Sequence, residues 1–169
     1  MKSLHWLMLV VWGFSLSVHA VALKPIDVNL TTHLGDQQTF IEGDQLSFYL
    51  SLDTDSYVYL LYQDAQDQSY VLIPNANMPA NFYAKRLFLP LPDAVSTFRF
   101  TIQAPFGNET IMVFASDFAS PELFSSTVGN NGLVKIDTDL EQLRADLELV
   151  ATHFGYAELR LTTRPKPDN

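Results

Sequence analysis

Alternation of apolar and polar side chains is the feature that most constrains this chain. Between residues 26 and 116, short segments rich in β-branched and aromatic residues carry apolar side chains at every second position. Successive side chains of a strand point to opposite faces, so this period gives each strand one buried face. Turn signals spaced about 8–12 residues apart are typical of a two-layer β-structure. The sequence therefore predicts a mainly-β, immunoglobulin-like two-layer sandwich.

The predicted strands share this alternation and end at turn residues; they cover residues 26–32, 46–52, 57–62, 70–73, 85–89, 95–103 and 109–116. The third is nearly all apolar, which is typical of a strand that is covered on both faces. In it, we expect Val58, Leu60 and Leu61 to face one layer and Tyr57 and Tyr59 to face the other.

The apolar period becomes helical near the C-terminus. Apolar residues three or four apart predict one helix over about residues 138–154, packed on the sheet as part of the same core. Thr138 and Glu141 have the spacing of a capping box, and Gly155 is placed to end the helix. A closing strand over residues 156–162 and a disordered tail over residues 165–169 complete the predicted order.

The first twenty residues resemble a secretory signal peptide. Lys2 precedes an apolar run over residues 6–16, and small residues follow it, so cleavage is predicted after Ala20, with Ala22 as the alternative. The apolar run is shorter than the roughly twenty residues that span a membrane. We therefore expect an exported, soluble protein, periplasmic or alternatively extracellular, with one domain over residues 21–164.

Charge and cysteine content limit the partners and cofactors. The chain has no Cys, so neither disulfides nor thiolate–metal sites can stabilise it. Its formal net charge is −9, and it becomes −10 when Lys2 is removed with the signal peptide. Because nucleic acids are bound through clustered Lys and Arg, we expect no nucleic-acid partner.

No common catalytic motif is present in the sequence, and no cofactor is expected. The two histidines after residue 20, His33 and His153, are interpreted as surface or helix-terminal side chains. A hydrolase with its residues assembled from distant strands stays as a minor alternative. Calcium is a further minor alternative, because carboxylates cluster in two turns, Asp53 with Asp55 and Asp64 with Asp67.

One loop and its tyrosines form the predicted binding surface. The loop over residues 74–81 is the longest irregular segment of the strand region, and binding residues are concentrated on loops that a rigid scaffold holds. The candidate surface residues are Tyr70, Asn75, Asn77, Asn81 and Tyr83. The alternatives are that the tyrosines are core residues, and that Pro74 and Asn75 only fix the chain reversal.

Several turns of this chain resemble the bacterial family called domain of unknown function 4384 (DUF4384), over about residues 40–118. The motifs are Glu42-Gly43-Asp44, the strand Tyr57-Val58-Tyr59-Leu60-Leu61-Tyr62 leading to Asp64, Leu72-Ile73-Pro74-Asn75, and the Pro-x-Gly-x-Glu turn of Pro105, Gly107 and Glu109. The chain departs from the family in carrying Asp67 where a Gly is frequent, and in its helix and strand after residue 135. The resemblance implies no activity, but it favours a binding or scaffolding role.

These observations together predict a non-catalytic module of the cell envelope. We expect it to contact another envelope protein through loops or a sheet edge, since exposed strand edges pair readily with extended segments. Recognition of a small molecule or glycan by the aromatic residues is the alternative.

Overall fold

The computed structural model describes residues 24–96, 98–119, 127–128, 133–138 and 140–167. The predicted signal peptide and both predicted cleavage sites lie outside these residues. In the ranges that are described, no helix is long and apolar enough to cross a membrane.

The described residues form thirteen strands and one helix. They are β1 Val28–Thr32, β2 Thr39–Ile41, β3 Gln45–Leu46, β4 Phe48–Leu52, β5 Ser56–Gln63, β6 Ser69–Ile73, β7 Phe82–Tyr83, β8 Arg86–Leu91, β9 Phe100–Thr101, β10 Asn108–Ser116, β11 Thr127–Val128, β12 Val134–Ile136, α1 Leu140–Val150 and β13 Phe154–Arg164.

The strands form two main layers. The small sheet has the order β1-β4-β8, and the large sheet has the order β11-β12-β6-β5-β10-β13-β2, with β7 paired to β5. A separate two-stranded ladder joins β3 to β9. All pairs are antiparallel except the short parallel pair between β13 and β2.

The main core fills the space between the two sheets. Leu50 and Leu52 of the small sheet and Leu60 and Val113 of the large sheet belong to it, and each is almost fully buried. The predicted two-layer sandwich is therefore confirmed. Apolar burial of this kind, at about 25 cal/mol per Å², is the main stabilising contribution in a chain without disulfides.

A second core lies on the other face of the large sheet. There, Leu140, Leu143 and Leu147 of α1 pack against residues of β5 and β10, among them Leu61 and Phe114. The prediction that the helix shares the sandwich core is therefore wrong. Leu61 was also assigned to the wrong face, because it points with Tyr59 toward the helix, while Val58 and Leu60 face the small sheet as expected.

The helix is shorter than predicted at both ends. It begins at Leu140, so Thr138 lies two positions before it rather than directly before it, and it ends at Val150. Gly155 does not end the helix but lies inside β13. A Cβ atom at Gly155 would lie 2.1 Å from the carbonyl oxygen of Ile26, so glycine is needed here because another backbone segment passes directly over the strand.

The strand predicted over residues 95–103 is mostly wrong. Among the described residues of this segment, Phe100–Thr101 forms a strand and Ile102 bonds to the Gly43–Asp44 turn, whereas Ser96 closes a turn on Asp93. Phe100 and Ile102 nevertheless point into the core, as their alternation predicts. Strands β2 and β12, which the sequence pattern did not predict, extend the large sheet on its two sides.

Candidate functional site

A cleft of about 230 Å³ lies between the large sheet and the segment that carries β9. Strands β5, β6 and β10 form its floor, and residues 98–105 form its opposite wall. Its polar atoms include the carboxylates of Glu109 and Asp64. Apolar walls with a few convergent polar groups are typical of ligand sites.

Five aromatic residues line the cleft: Phe48, Tyr62, Tyr70, Phe98 and Phe100. Tyr62 on β5 and Tyr70 on β6 are direct cross-strand partners, so their rings stack with centroids 5.9 Å apart. On the opposite wall, Phe98 and Phe100 meet edge to face at 4.9 Å. The alternation of strand residues brings each pair onto the cleft side, and the result is an aromatic enclosure with one acidic end.

Glu109, near the start of β10, is 3% exposed and forms the acidic end. Its Oε1 accepts a hydrogen bond from the Thr163 hydroxyl at 2.6 Å. Burial raises the pKa of Glu109; the hydroxyls of Thr163 and Tyr62 oppose the shift, and the negative charge of Asp64 adds to it. The carboxyl is thus held in a partly desolvated position where its charge acts strongly.

Asp64 ends β5 and organises the hairpin that follows. Its Oδ1 accepts from the backbone N–H groups of Gln66 at 2.8 Å and Gln68 at 2.9 Å, as in an Asx turn. Asp67 in this hairpin has φ of 60°, a left-handed conformation that glycine adopts without strain. Burial, together with the negative charge of Asp64, raises the pKa of Tyr70.

The Pro-x-Gly-x-Glu turn anchors the last strand beside the cleft. The Gly107 N–H donates to the Thr163 hydroxyl at 3.1 Å, and the Thr163 N–H donates to the Gly107 carbonyl at 2.8 Å. A Cβ atom on Gly107 would lie 2.9 Å from that of Ala65, so the turn packs closely on the Asp64 hairpin. Pro105 lines the cleft itself.

The Gly43–Asp44 turn holds the opposite wall. The Gly43 N–H donates to the Ile102 carbonyl, and the Ile102 N–H donates to the Asp44 carbonyl, each at 3.0 Å. Gly43 has φ of 89°, which only glycine adopts readily. Three of the four predicted motif turns therefore frame one cleft, which sequence reasoning did not anticipate.

The fourth motif turn, Pro74–Asn75, lies elsewhere and has a structural role. Asn75 is buried; its side chain donates to the Leu72 carbonyl at 2.6 Å and accepts from the N–H groups of Asn77 and Met78 at 2.7 and 2.8 Å. These bonds favour the alternative that Pro74 and Asn75 fix the chain reversal.

The structure does not assemble the predicted loop surface around Tyr70. Tyr70 lies near the start of β6 and Asn75 follows its end, so about 10 Å of strand separates them. Tyr83, in β7, packs partly buried against the main core, and the Asn81 carbonyl accepts from the Val58 N–H. Of the five candidate surface residues, only Asn77 is exposed.

The turn carboxylates bind groups of the protein itself. Asp53 accepts from the Lys24 ammonium at 2.7 Å and from the Asp27 N–H at 2.9 Å, and Asp55 accepts from the Lys85 N–H. Within the described ranges, no group of three or more His, Cys, Asp or Glu residues could hold a metal ion.

The two histidines lie apart from the cleft. Nδ1 of His33 accepts from the Ser47 N–H at 3.3 Å, in the turn after β1. His153, between α1 and β13, contacts Asp117 through its ring nitrogen at 3.2 Å and through its backbone N–H at 3.0 Å. Neither residue lines the cleft.

Strand β8 forms an exposed edge of the small sheet. In the described part of the chain, it pairs with β4 alone. Leu87 is 90% exposed and Phe88 is 59% exposed, while the next residue, Leu89, points into the core. The Phe88 ring stacks on Tyr49 at 4.2 Å. Adjacent exposed apolar residues on a strand edge are rare in monomeric proteins, because such edges pair with other chains.

A family model described as Domain of unknown function (DUF4384) matches residues 39–118. The chain contains a DUF4384 domain. The match runs from β2 to the residues just after β10, so the predicted resemblance is confirmed. β1, α1 and β13 lie outside the DUF4384 match, although β13 inserts between β10 and β2 of the large sheet. The comparisons with curated proteins and with solved structures gave no match.

Proposed function

We propose that the mature chain is a non-catalytic binding module of the bacterial cell envelope, located in the periplasm, that docks another envelope protein through strand β8. The observation that carries this proposal is the exposure of Leu87 and Phe88 side by side on an edge strand. Their burial by a partner would remove apolar surface from water, which is the main driving force of most protein association.

The β8 edge also offers backbone hydrogen bonds. A strand with a neighbour on one side has N–H and C=O groups on its other side that an extended segment of a partner can pair with. Pro90 carries no N–H, so we expect this pairing to involve the part of β8 before it. The stacking of Phe88 on Tyr49 orients the ring before binding, which lowers the entropy cost of docking.

Charge narrows the chemistry of the partner segment. Lys85 and Arg86 are both exposed at the start of β8, in a chain whose formal net charge is −9. We therefore expect an extended apolar segment with an acidic residue near Arg86, because complementary charges fix the register of docking.

Export and the absence of catalysis are parts of the same proposal. Export is supported by the charged start, the apolar run and the small residues before position 22. The non-catalytic assignment is supported by the positions of His33 and His153, each of which is tied to a nearby group away from the cleft.

Site-specific photo-crosslinking in the native envelope tests the docking surface. A photoreactive residue at position 88 should give one discrete adduct with a partner protein, and Leu87→Ser should weaken that adduct. Leu149 on α1 is the matched control, because it is 84% exposed and lies on the far side of the large sheet. The absence of an adduct at position 88, or the same adduct from position 149, would contradict the proposal.

A further inference from the structure

We propose that the cleft binds a small organic ammonium ion. The rings of Tyr62 and Tyr70 lie on one side of this ion, and the carboxylate of Glu109 lies on the other. This site is separate from the β8 edge, so the inference does not depend on the docking proposal. Three observations support it: the charge balance of the cleft, its aromatic lining and its size.

The carboxylates at the acidic end of the cleft form no ion pair with the described residues. Glu109 and Asp64 both line the cleft, and among the described residues no ion pair joins either carboxylate to a basic side chain. Hydroxyl and backbone donors stabilise the two carboxylates without cancelling their charge. Because an uncompensated buried charge is costly, a bound cation would recover part of that free energy.

The basic residue of the cleft wall compensates this charge only in part. Arg99 lines the cleft, but its guanidinium donates to the backbone carbonyls of Ser96 and Phe98 and is exposed to solvent. Glu109 and Asp64 outnumber Arg99 among the charged residues that line the cleft, so an anionic ligand would meet an excess of negative charge. This arrangement favours cations over anions.

The lining and volume select an organic cation over a metal ion. A metal ion needs several oxygen ligands in a shell, whereas the cleft combines two carboxylates with five aromatic rings. Ammonium groups are attracted to the faces of aromatic rings within about 6 Å, because the ring face carries partial negative charge. The volume of about 230 Å³ is below the roughly 300–1,000 Å³ of sites for drug-sized molecules. A small ligand therefore fits best.

Choline and its neutral analogue 3,3-dimethylbutan-1-ol provide the test, since they share a shape and differ in charge. Binding is followed by NMR through the ring signals of Tyr62 and Tyr70. We expect choline to bind at least about 10-fold more tightly than the alcohol. Glu109→Gln should abolish this preference, because it keeps an acceptor for Thr163 and removes the charge. Glu158→Gln is the matched control, since Glu158 lies on β13 outside the cleft and bonds to Arg160.

The outcomes separate the parts of the inference. Equal affinity for choline and the alcohol would overturn the recognition of charge, and no shift with either compound would overturn the ligand site itself. If Glu109→Gln does not fold, Tyr70→Leu replaces it, and we expect this variant to weaken choline binding more than binding of the alcohol. An unchanged preference in a folded Glu109→Gln or Tyr70→Leu variant would likewise overturn the proposal.

Discussion

The Thr163 hydroxyl donates a hydrogen bond to Oε1 of Glu109 at 2.6 Å, although 54 residues separate them in the chain. Thr163 belongs to β13, outside the DUF4384 match, and Glu109 belongs to a DUF4384 motif. The C-terminal strand therefore supplies a donor that the buried motif carboxyl uses. It also completes the large sheet beside β10.

We expect Thr163→Val to lower the free energy of unfolding by about 1–3 kcal/mol, because it removes the hydroxyl that donates to the buried Glu109 carboxylate and accepts from the Gly107 N–H. Urea unfolding followed by circular dichroism measures the change. Thr162→Val is the control, since this neighbouring hydroxyl is only half-buried and makes no such contact. Equal effects of the two substitutions would show that the Glu109 contact contributes nothing specific.

Replacement of Glu109 should change how stability depends on pH. Burial raises the pKa of Glu109, so the folded protein holds this proton more tightly than the unfolded chain does. The resulting contribution to stability is complete below the ordinary Glu pKa of about 4.3 and is lost as the pH rises through the raised value. We expect Glu109→Gln to gain stability relative to the wild type between about pH 4 and pH 7. Parallel pH profiles of the two unfolding free energies would contradict this.

We expect Gly155→Ala to be strongly destabilising, by about 1–3 kcal/mol or more, because its new methyl group would meet the Ile26 carbonyl oxygen rather than a movable side chain. Thermal unfolding measures the loss. Glu158→Ala, at an exposed position of the same strand, should change stability by at most about 0.5 kcal/mol. Tolerance of alanine at position 155 would mean that the segment before β1 does not cross β13 as described.

Asn75→Ala should cost about 1–3 kcal/mol, since the buried Asn75 side chain satisfies one carbonyl and two N–H groups of the loop. Asn77→Ala should stay within about 0.5 kcal/mol, because the Asn77 side chain is exposed. Chemical denaturation distinguishes the two variants. If Asn75→Ala leaves the stability unchanged but abolishes binding of a partner protein, the loop is a binding surface instead.

At position 67, glycine should be better than alanine by about 1 kcal/mol, because φ of 60° is strained for a side chain with a Cβ atom. The comparison of Asp67→Gly with Asp67→Ala by differential scanning calorimetry isolates this backbone effect, since both remove the carboxylate. If alanine proves the more stable, the hairpin does not hold this conformation.

Alternation of side chains predicted burial better than it predicted pairing. Phe100 and Ile102 point inward as expected, yet most of residues 95–103 form no ladder. A period of two reports which face of a segment meets the core, but a strand also needs a neighbour, and the Asp93–Ser96 turn diverts the chain from one. The same limit applies to Gly155, whose role depends on a segment that the sequence places far away.

The candidate cleft was only partly predictable. Glu109 and Asp64 were found as motif residues and Tyr70 as a surface aromatic, but their convergence needs the pairing of β5 with both β6 and β10. Nothing in the sequence marks Thr163 as a partner of Glu109, because a threonine near the end of a strand is common. Conversely, Asn75 lies in a loop whose composition is typical of binding loops, but its side chain hydrogen-bonds to the backbone of that loop.

The sequence by itself determined that strands with one apolar face stack into a sandwich without disulfides, because local alternation and turn residues act over a few positions. The sequence also identified the turn motifs that resemble the DUF4384 family. Only the tertiary structure decided that the helix covers the outer face of the large sheet, that β8 is left as an edge, and that three distant turns enclose one acidic, aromatic cleft. These features depend on which strands become neighbours, and that choice is made by packing over the whole chain rather than by any local segment.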